Sequence, residues 1–204
     1  MKHLLKLNLG GGFTAVPGWI NLDAAFYEYL QWLPGPMLRM VYARSSWKDQ
    51  VEFSVYHRVL REGKFIHRDL RRGIPFPSNK VDYIFSSHFL DSLPRPDGAR
   101  LLAEAFRVLR PGGVIRISVS DLDKCIALLA AGDRETALTR LFPFTRSRPN
   151  LRYFMYDFKM LSEVLSATGF MDIERRSFQR GDVPEAELLD NRPEESLFVE
   201  ARKR

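Results

Sequence analysis

Leu4, Leu5, Leu7 and Leu9 form an apolar run that enters three consecutive glycines, Gly10-Gly11-Gly12, and a second run, Ile20-Asn21-Leu22, ends on Asp23. Short apolar runs bounded by turn residues read as buried strands. The same form recurs at Phe65–Leu70, a short strand ending on the acid Asp69, at Lys80–Ser87 with Val81, Ile84 and Phe85, and at Val114–Val119. Between the last two, Leu101, Leu102, Ala105, Phe106 and Leu109 recur at helical spacing behind Asp97, which predicts a helix capped by that carboxylate and stopped at Pro111-Gly112-Gly113. Asp121 is placed to start another helix. Residues 133–152 are polar, contain Pro143 and Pro149, and read as irregular. A helix over about 157–168 ends at Gly169, and Met171–Phe178 and Leu197–Ala201 are the last two strands. Alternation of strand and helix predicts an α/β sheet, and two final strands joined without a helix predict an antiparallel closing pair.

One stretch breaks the alternation. Residues 26–65 hold nine of the chain's 25 aromatics: Phe26, Tyr27, Tyr29, Trp32, Tyr42, Trp47, Phe53, Tyr56 and Phe65. Pro34-Gly35-Pro36 interrupts it, and Val51, Val55, Val59 and Leu60 lie at helical spacing beyond. The stretch is too long for a simple crossover and reads as an insertion of two or three helices. It can be a packed layer on the core, a lid over a ligand, or a membrane-facing patch.

At 204 residues the chain suits one domain, and a formal charge of +6 makes it mildly basic. That charge permits an acidic partner or an anionic membrane surface, but the arginines are scattered and no nucleic-acid motif appears, so nucleic acid is not an expected partner. Cys125 is the only cysteine. It can form no internal disulfide, supplies no zinc site, and reads as the buried face of a helix rather than a nucleophile. No metal is expected. The N-terminus passes straight into a strand without a signal peptide, and no apolar run is long enough to span a membrane. The expected location is the cytoplasm.

The candidate chemistry gathers at strand ends. Glycines after a strand let a backbone touch a ligand with no Cβ in the way. In an open α/β sheet ligands bind off the carboxyl ends of the strands, where an acid such as Asp23 accepts from ribose hydroxyls. A bare turn is the competing reading of three glycines. The spacing is neither G-x-G-x-x-G nor a phosphate loop.

Four stretches then carry a resemblance. They are Leu7-Asn8-Leu9-Gly10-Gly11-Gly12 leading through Pro17-Gly18-Trp19 to Asp23; Asp69-Leu70 with Ile74-Pro75-Phe76-Pro77 and Val81-Asp82; Glu104 to Gly113 (E-A-F-R-V-L-R-P-G-G); and Gly169-Phe170 with Ser196 to Ala201. Together they resemble the class I S-adenosylmethionine-dependent methyltransferases, type 11-like, in the small bacterial branch associated with polysaccharide biosynthesis. The resemblance covers residues 4–24 and 63–204 and skips the aromatic insertion. It implies a Rossmann-like, seven-stranded, mostly parallel sheet with an antiparallel last strand and helices on both faces. The whole chain, 1–204, reads as one such domain with a helical insertion at about 26–62 after the second strand.

The resemblance also implies roles. The cofactor is S-adenosyl-L-methionine. Gly10, Gly11 and Gly12 line its methionine part, Asn8 is a further cofactor-binding position, Asp23 holds the ribose hydroxyls, and Asp69 faces the adenine amino group with Leu70 beside the ring. Ser86, Ser87 and His88 face the methyl group. Where family members often carry an acid this chain has Asn8, and where relatives have two Glu-His pairs it has Ser87-His88 and Asp91-Ser92.

Methyl transfer demands an aligned acceptor, and a hydroxyl acceptor also needs its proton taken. His88, at the end of a strand, is the candidate general base; its competing reading is a helix-start residue bonded to backbone. His3 and His57 read as surface or packing residues, and His67 lies inside a strand. The expected function is methyl transfer to a small-molecule acceptor, in that branch a sugar or glycan precursor. The alternative is a catalytically inactive protein of the same fold that binds cofactor or a partner. A nicotinamide oxidoreductase is disfavoured, because the glycine spacing is wrong and no Tyr-x-x-x-Lys follows. The sequence does not speak to oligomeric state.

Overall fold

A computed structural model describes residues 4–142 and 152–204; His3, Pro143 and Pro149 fall outside them. Seven strands form one sheet: β1 (Lys6–Leu9), β2 (Trp19–Asp23), β3 (Lys64–His67), β4 (Val81–Ser87), β5 (Leu109–Ser120), β6 (Met171–Arg176) and β7 (Ser196–Arg202). Their spatial order is β3-β2-β1-β4-β5-β7-β6. Strands β1 to β5 are parallel, and β7 runs antiparallel to both β5 and β6. The chain builds outward from β1 through β2 to β3, then returns to place β4 on the other side of β1. That reversal makes the carboxyl ends of β1 and β4 the switch point where a crevice opens.

The sheet is covered on both faces. Helices α4 (Arg95–Val108) and α7 (Phe158–Thr168) put Leu101, Leu102, Ala105, Leu161 and Leu165 against Ile84, Ile115, Ile117, Leu197 and Val199. Burial of each large aliphatic side chain is worth about 1.5–3 kcal/mol. The α7 helix has the ends its sequence predicts. The Asp157 carboxylate accepts the Met160 N–H at 2.7 Å, and Gly169 closes the helix at φ +106°. On the opposite face Trp19, Phe85 and Val114 pack with Val16, Val183 and Leu189. The last two come from the segment between β6 and β7, whose only helix is the single turn α8 (Ala186–Leu189).

That segment is anchored by a buried charge. Arg116, on β5, is fully buried; its guanidinium donates to Asp190 at 2.8 and 2.5 Å, to Glu200 at 3.0 Å, and to the carbonyls of Ser177 and Arg180. Gly181 lies so close that a Cβ there would stand 2.1 Å from Glu200 Oε1.

The insertion consists of α1 (Tyr27–Leu30), α2 (Gly35–Arg44), a 3-10 turn (Ser46–Asp49) and α3 (Phe53–Glu62). Its helices enclose their own core of Tyr27, Leu38, Tyr56 and Leu60 with Phe65 of β3.

Three local expectations are corrected. Helix α4 starts at Arg95 behind Pro94, so Asp97 sits inside the first turn and pairs with Arg100 instead of capping. Pro94 takes the N-cap position, and Pro96 sits in the first turn, where its missing N–H costs the helix nothing. The same helix stops at Val108, before Pro111-Gly112-Gly113, because β5 already begins at Leu109 and the glycines bond to Lys203 beyond β7. Residues 134–141 form α6, where irregular chain was expected; Asp133 caps it by accepting the Thr136 N–H at 3.1 Å. Helix α5 (Leu122–Ala130) starts behind Asp121 as expected and buries Cys125.

Candidate active site

The three glycines differ in what they demand. Gly10 has φ +64°, and a Cβ there would fall 2.1 Å from Cγ of Phe89, whose ring covers it. At Gly11 a Cβ would lie 2.1 Å from Asn8 Nδ2. Gly12, at φ +54°, has no atom within 4 Å of its Cβ position, so the crest of the loop faces open space. Beneath it Asn8 is fully buried on β1, and its amide donates to Asn21 Oδ1 at 3.0 Å and to the Thr14 carbonyl. An amide stands here where relatives often carry an acid, and its Oδ1 is left without a partner.

Asp23 ends β2 directly beside this crest. Its Oδ2 accepts the Gly12 N–H at 3.0 Å and its Oδ1 the Ala25 N–H at 2.8 Å. The carboxylate thus shapes the loop, and each oxygen keeps a lone pair for another donor. Phe13, next along the loop, turns into the insertion and stacks on Tyr56 at 4.9 Å, with Trp47 at 4.7 Å. The insertion therefore packs against the glycine loop itself.

Asp69 follows β3 and starts a 3-10 turn, Leu70–Arg72. Arg71 binds its carboxylate in bidentate fashion at 2.9 Å on each oxygen, and this bond holds the carboxyl below its usual range. The Leu70 side chain is buried in the main core. At this edge stands a pair that the sequence did not join, the exposed Phe26 and the half-buried His67. Phe26 lies three residues after Asp23, and its ring stacks on His67, the last residue of β3, with 4.9 Å between centroids and 13° between planes. His67 Nδ1 lies 3.2 Å from the Ala25 carbonyl. The pair arises because β2 and β3 are neighbours, which no local pattern reveals.

At the end of β4, Ser86 is buried with a hydroxyl that has no partner, and Ser87 makes a long bond of 3.4 Å to Asn191. His88 has φ +47°. Its ring is turned back toward β5 and β7: Nε2 lies 2.9 Å from Ser196 Oγ, and Nδ1 lies 3.5 Å from Ser120 Oγ and 3.6 Å from Asp91 Oδ2. Asp91 is the hub of this corner, although the sequence marked it only as a departure from the family pattern. Its carboxylate, 2% exposed, accepts the N–H and the hydroxyl of Ser120 at 3.1 and 2.8 Å and lies 3.6 Å from Arg152. Its backbone carbonyl takes the Tyr153 N–H.

Burial by itself raises the Asp91 pKa, but the adjoining His88 ring and the Ser120 donors outweigh it and hold the carboxyl below its ordinary value. A folded pKa below the unfolded one stabilises the fold above about pH 4, and that contribution disappears as pH falls through the folded value. Asp91→Asn is therefore expected to flatten the acid limb of a stability-versus-pH curve. Urea titrations between neutral pH and pH 3 check this; parallel curves for wild type and variant refute it.

The residues present fit S-adenosylmethionine in its methionine and ribose parts. The crest at Gly12 is open to a ligand, the Asp23 oxygens have acceptor capacity, and the orphaned Ser86 hydroxyl stands at the switch point. Asp69 is the exception, since Arg71 already claims it. Among the described residues no cluster of His, Cys, Asp and Glu can hold a metal ion, and no helix is long and apolar enough to cross a membrane.

Comparison with known proteins places the architecture. Residues 29–117 match the family model of a methyltransferase domain, a match that begins inside the aromatic insertion and leaves out the glycine loop. No curated protein matches the chain by sequence. Among solved structures, the S-adenosylmethionine-dependent methyltransferase SibL in its apo form superposes with a TM-score of 0.55 at 17% identity, over 98% of this chain and 50% of that one. A Thermotoga maritima S-adenosylmethionine-dependent methyltransferase, described as a "possible histamine N-methyltransferase", gives 0.54 at 10% identity, over 100% and 84%. Human N-acetylserotonin methyltransferase in complex with S-adenosylmethionine gives 0.52 at 17%, over 98% and 47%. The chain spans about half the length of the first and third of these. It has the Rossmann-like fold of S-adenosylmethionine-dependent methyltransferases, with the seven-stranded sheet and antiparallel β7 that the sequence implied.

Proposed function

We propose that the protein is an S-adenosylmethionine-dependent methyltransferase acting on a small-molecule acceptor, with a sugar or glycan precursor as the class to try first. The observation that carries this reading is the open crest at Gly12 with the Asp23 carboxylate bonded beside it, at the switch point of a methyltransferase fold. When bound, the cofactor supplies an electrophilic methyl group, so the protein's task is binding and alignment. Asp23 accepts from the ribose hydroxyls, and Phe26 offers a ring beside that position for the purine. Phe89 packs on Gly10 and holds the loop's strand-exit angle. The insertion, fixed to the loop through Phe13, forms one wall of the acceptor pocket.

His88 enters this reading as a positioning residue as much as a base. To take a proton from an acceptor, its imidazole must give up the Ser196 contact or swing from Asp91. As it stands, it ties the β4 exit to the start of β7. His88→Ala is expected to lower the melting temperature and cofactor affinity together. A turnover loss of about 10²–10⁴-fold with affinity and melting unchanged makes it the general base instead.

Isothermal calorimetry with S-adenosylhomocysteine tests the proposal directly. Wild type is expected to bind, and Asp23→Ala to lose about 1.5–3 kcal/mol with the charged hydrogen bonds it removes. No heat from wild type at millimolar ligand rejects cofactor binding. Binding without methyl transfer to any of a panel of hydroxyl acceptors favours the inactive alternative, which the altered residues Ser87, Asp91 and Ser92 keep open.

A further inference from the structure

Most of the insertion's aromatics are accounted for by its internal core, but one surface is not. Along the chain from α1 through α2, Phe26 is 65% exposed, Tyr29 56%, Trp32 79%, Met37 49% and Met40 52%. Phe26 and Tyr29 are engaged at the carboxyl edge, both against His67, while Trp32, Met37 and Met40 remain exposed beyond them. Soluble surfaces carry single exposed apolar side chains freely, but a run of aromatics and methionines in one segment marks a contact surface.

The charges around it say what covers it. From Gln31 to Lys48 the sequence carries Arg39, Arg44 and Lys48 and no carboxylate. On α2, Leu38 points into the insertion core while Pro36, Met37, Arg39, Met40 and Arg44 are exposed. A cleft of about 540 Å³ beside this face is lined by Gly35, Pro36, Arg39, Phe53, Ser54 and His57, and the Arg39 guanidinium lies 4.3 Å from the Phe53 ring centroid. The turn before α2 is held to α3 by Arg61, which donates to the carbonyls of Gln31 and Leu33. The surface is therefore tied to α3, apolar at its crest and cationic at its flank. Tryptophan and tyrosine favour the bilayer interface, where arginine keeps its stem in the apolar layer and its guanidinium at headgroup level. A second copy of this chain would bring another basic surface against the same arginines.

We propose that the exposed face of α1 and α2 docks on an anionic lipid bilayer. No helix inserts across it; Trp32, Met37 and Met40 enter the headgroup boundary, and Arg39 and Arg44 meet lipid phosphates. Because Phe26 stands beside Asp23, and Phe13 joins the glycine loop to the insertion core, docking turns the mouth of the candidate site toward the membrane surface. This inference stands apart from methyl transfer, and its test needs neither cofactor nor acceptor.

Vesicle flotation of the whole chain tests it. Wild type is expected to float with phosphatidylglycerol-containing vesicles and to stay behind with phosphatidylcholine alone. Trp32→Ser with Met40→Ser should weaken the binding about tenfold or more, and Arg39→Gln with Arg44→Gln about thirtyfold, roughly fivefold for each charge removed. All four side chains are exposed, so circular dichroism and melting should match wild type. Three results overturn the proposal. One is wild type that does not float with anionic vesicles. Another is equal flotation of wild type and both variants. The third is a wild-type dimer in solution that Trp32→Ser with Met40→Ser converts to monomer without vesicle binding, which assigns the face to a second copy.

Discussion

Gly11→Val is expected to abolish S-adenosylhomocysteine binding and to destabilise the fold, while Gly12→Ala loses binding with the fold intact. The two neighbours differ in direction. A side chain at Gly11 points down into the buried Asn8 amide, 2.1 Å from its nitrogen, and can fit only by displacing the bond to Asn21. Overpacking of this kind costs about 1–3 kcal/mol, to which the orphaned amides add. At Gly12 a methyl meets no protein atom, so its cost is the positive φ, about 1–2 kcal/mol, and the space it takes from the ligand. Calorimetry paired with thermal melts separates the cases. Gly11→Val should lose at least about a hundredfold in affinity, as its stability loss of 3 kcal/mol or more disorders the loop. If Gly12→Ala binds as wild type, the crest of the loop is not the cofactor's seat.

Arg116→Met is expected to be among the most destabilising single substitutions in the protein. It leaves Asp190 buried without its guanidinium partner and Glu200 with Arg176 alone. Removing one partner of such a network costs about 3–5 kcal/mol. For a chain of this size that lowers the melting temperature by roughly 10 °C or more. The consequence reaches the site, because the segment between β6 and β7 carries Asn191 to Ser87, Glu185 to Lys6, and the start of β7, Ser196, to His88. Loss of cofactor affinity should accompany the loss of stability. Replacing Arg116, Asp190 and Glu200 together by apolar residues should recover part of the stability, since a buried ion network is often worth no more than well-packed hydrophobics. A melting temperature unchanged by Arg116→Met removes the anchoring role.

The architecture was legible because its signals are local and repeated. Each buried strand of a parallel sheet is a short apolar run, each helix behind it shows one apolar face, and the turn residues lie between them. From these came the α/β sheet, the antiparallel closing pair, the helical insertion, the Gly10–Gly12 loop at the end of β1 and Asp23 at the end of β2. Boundaries failed where two local signals competed: Pro94 against Asp97 at the start of α4, and the pull of β5 against helix at Leu109.

Side-chain partnership needed the tertiary structure, because it depends on which distant residues share a strand edge. Even for neighbours two residues apart, the sequence does not say whether Arg71 binds Asp69 or leaves it free. The turn geometry after β3 decides it. His88 was visible at a strand end, yet the direction of its ring follows from β7 lying beside β5 and bringing Ser196 within 2.9 Å. Arg116 looked like one charge inside an apolar run, and only the closing segment, 61 to 84 residues further on, supplies its partners. The sequence by itself determined which glycines and carboxylates stand at strand ends, because those positions follow from the apolar runs. The fold decided which side chains remain free to serve there, because pairing energy is set by distances in space that sequence separation does not encode.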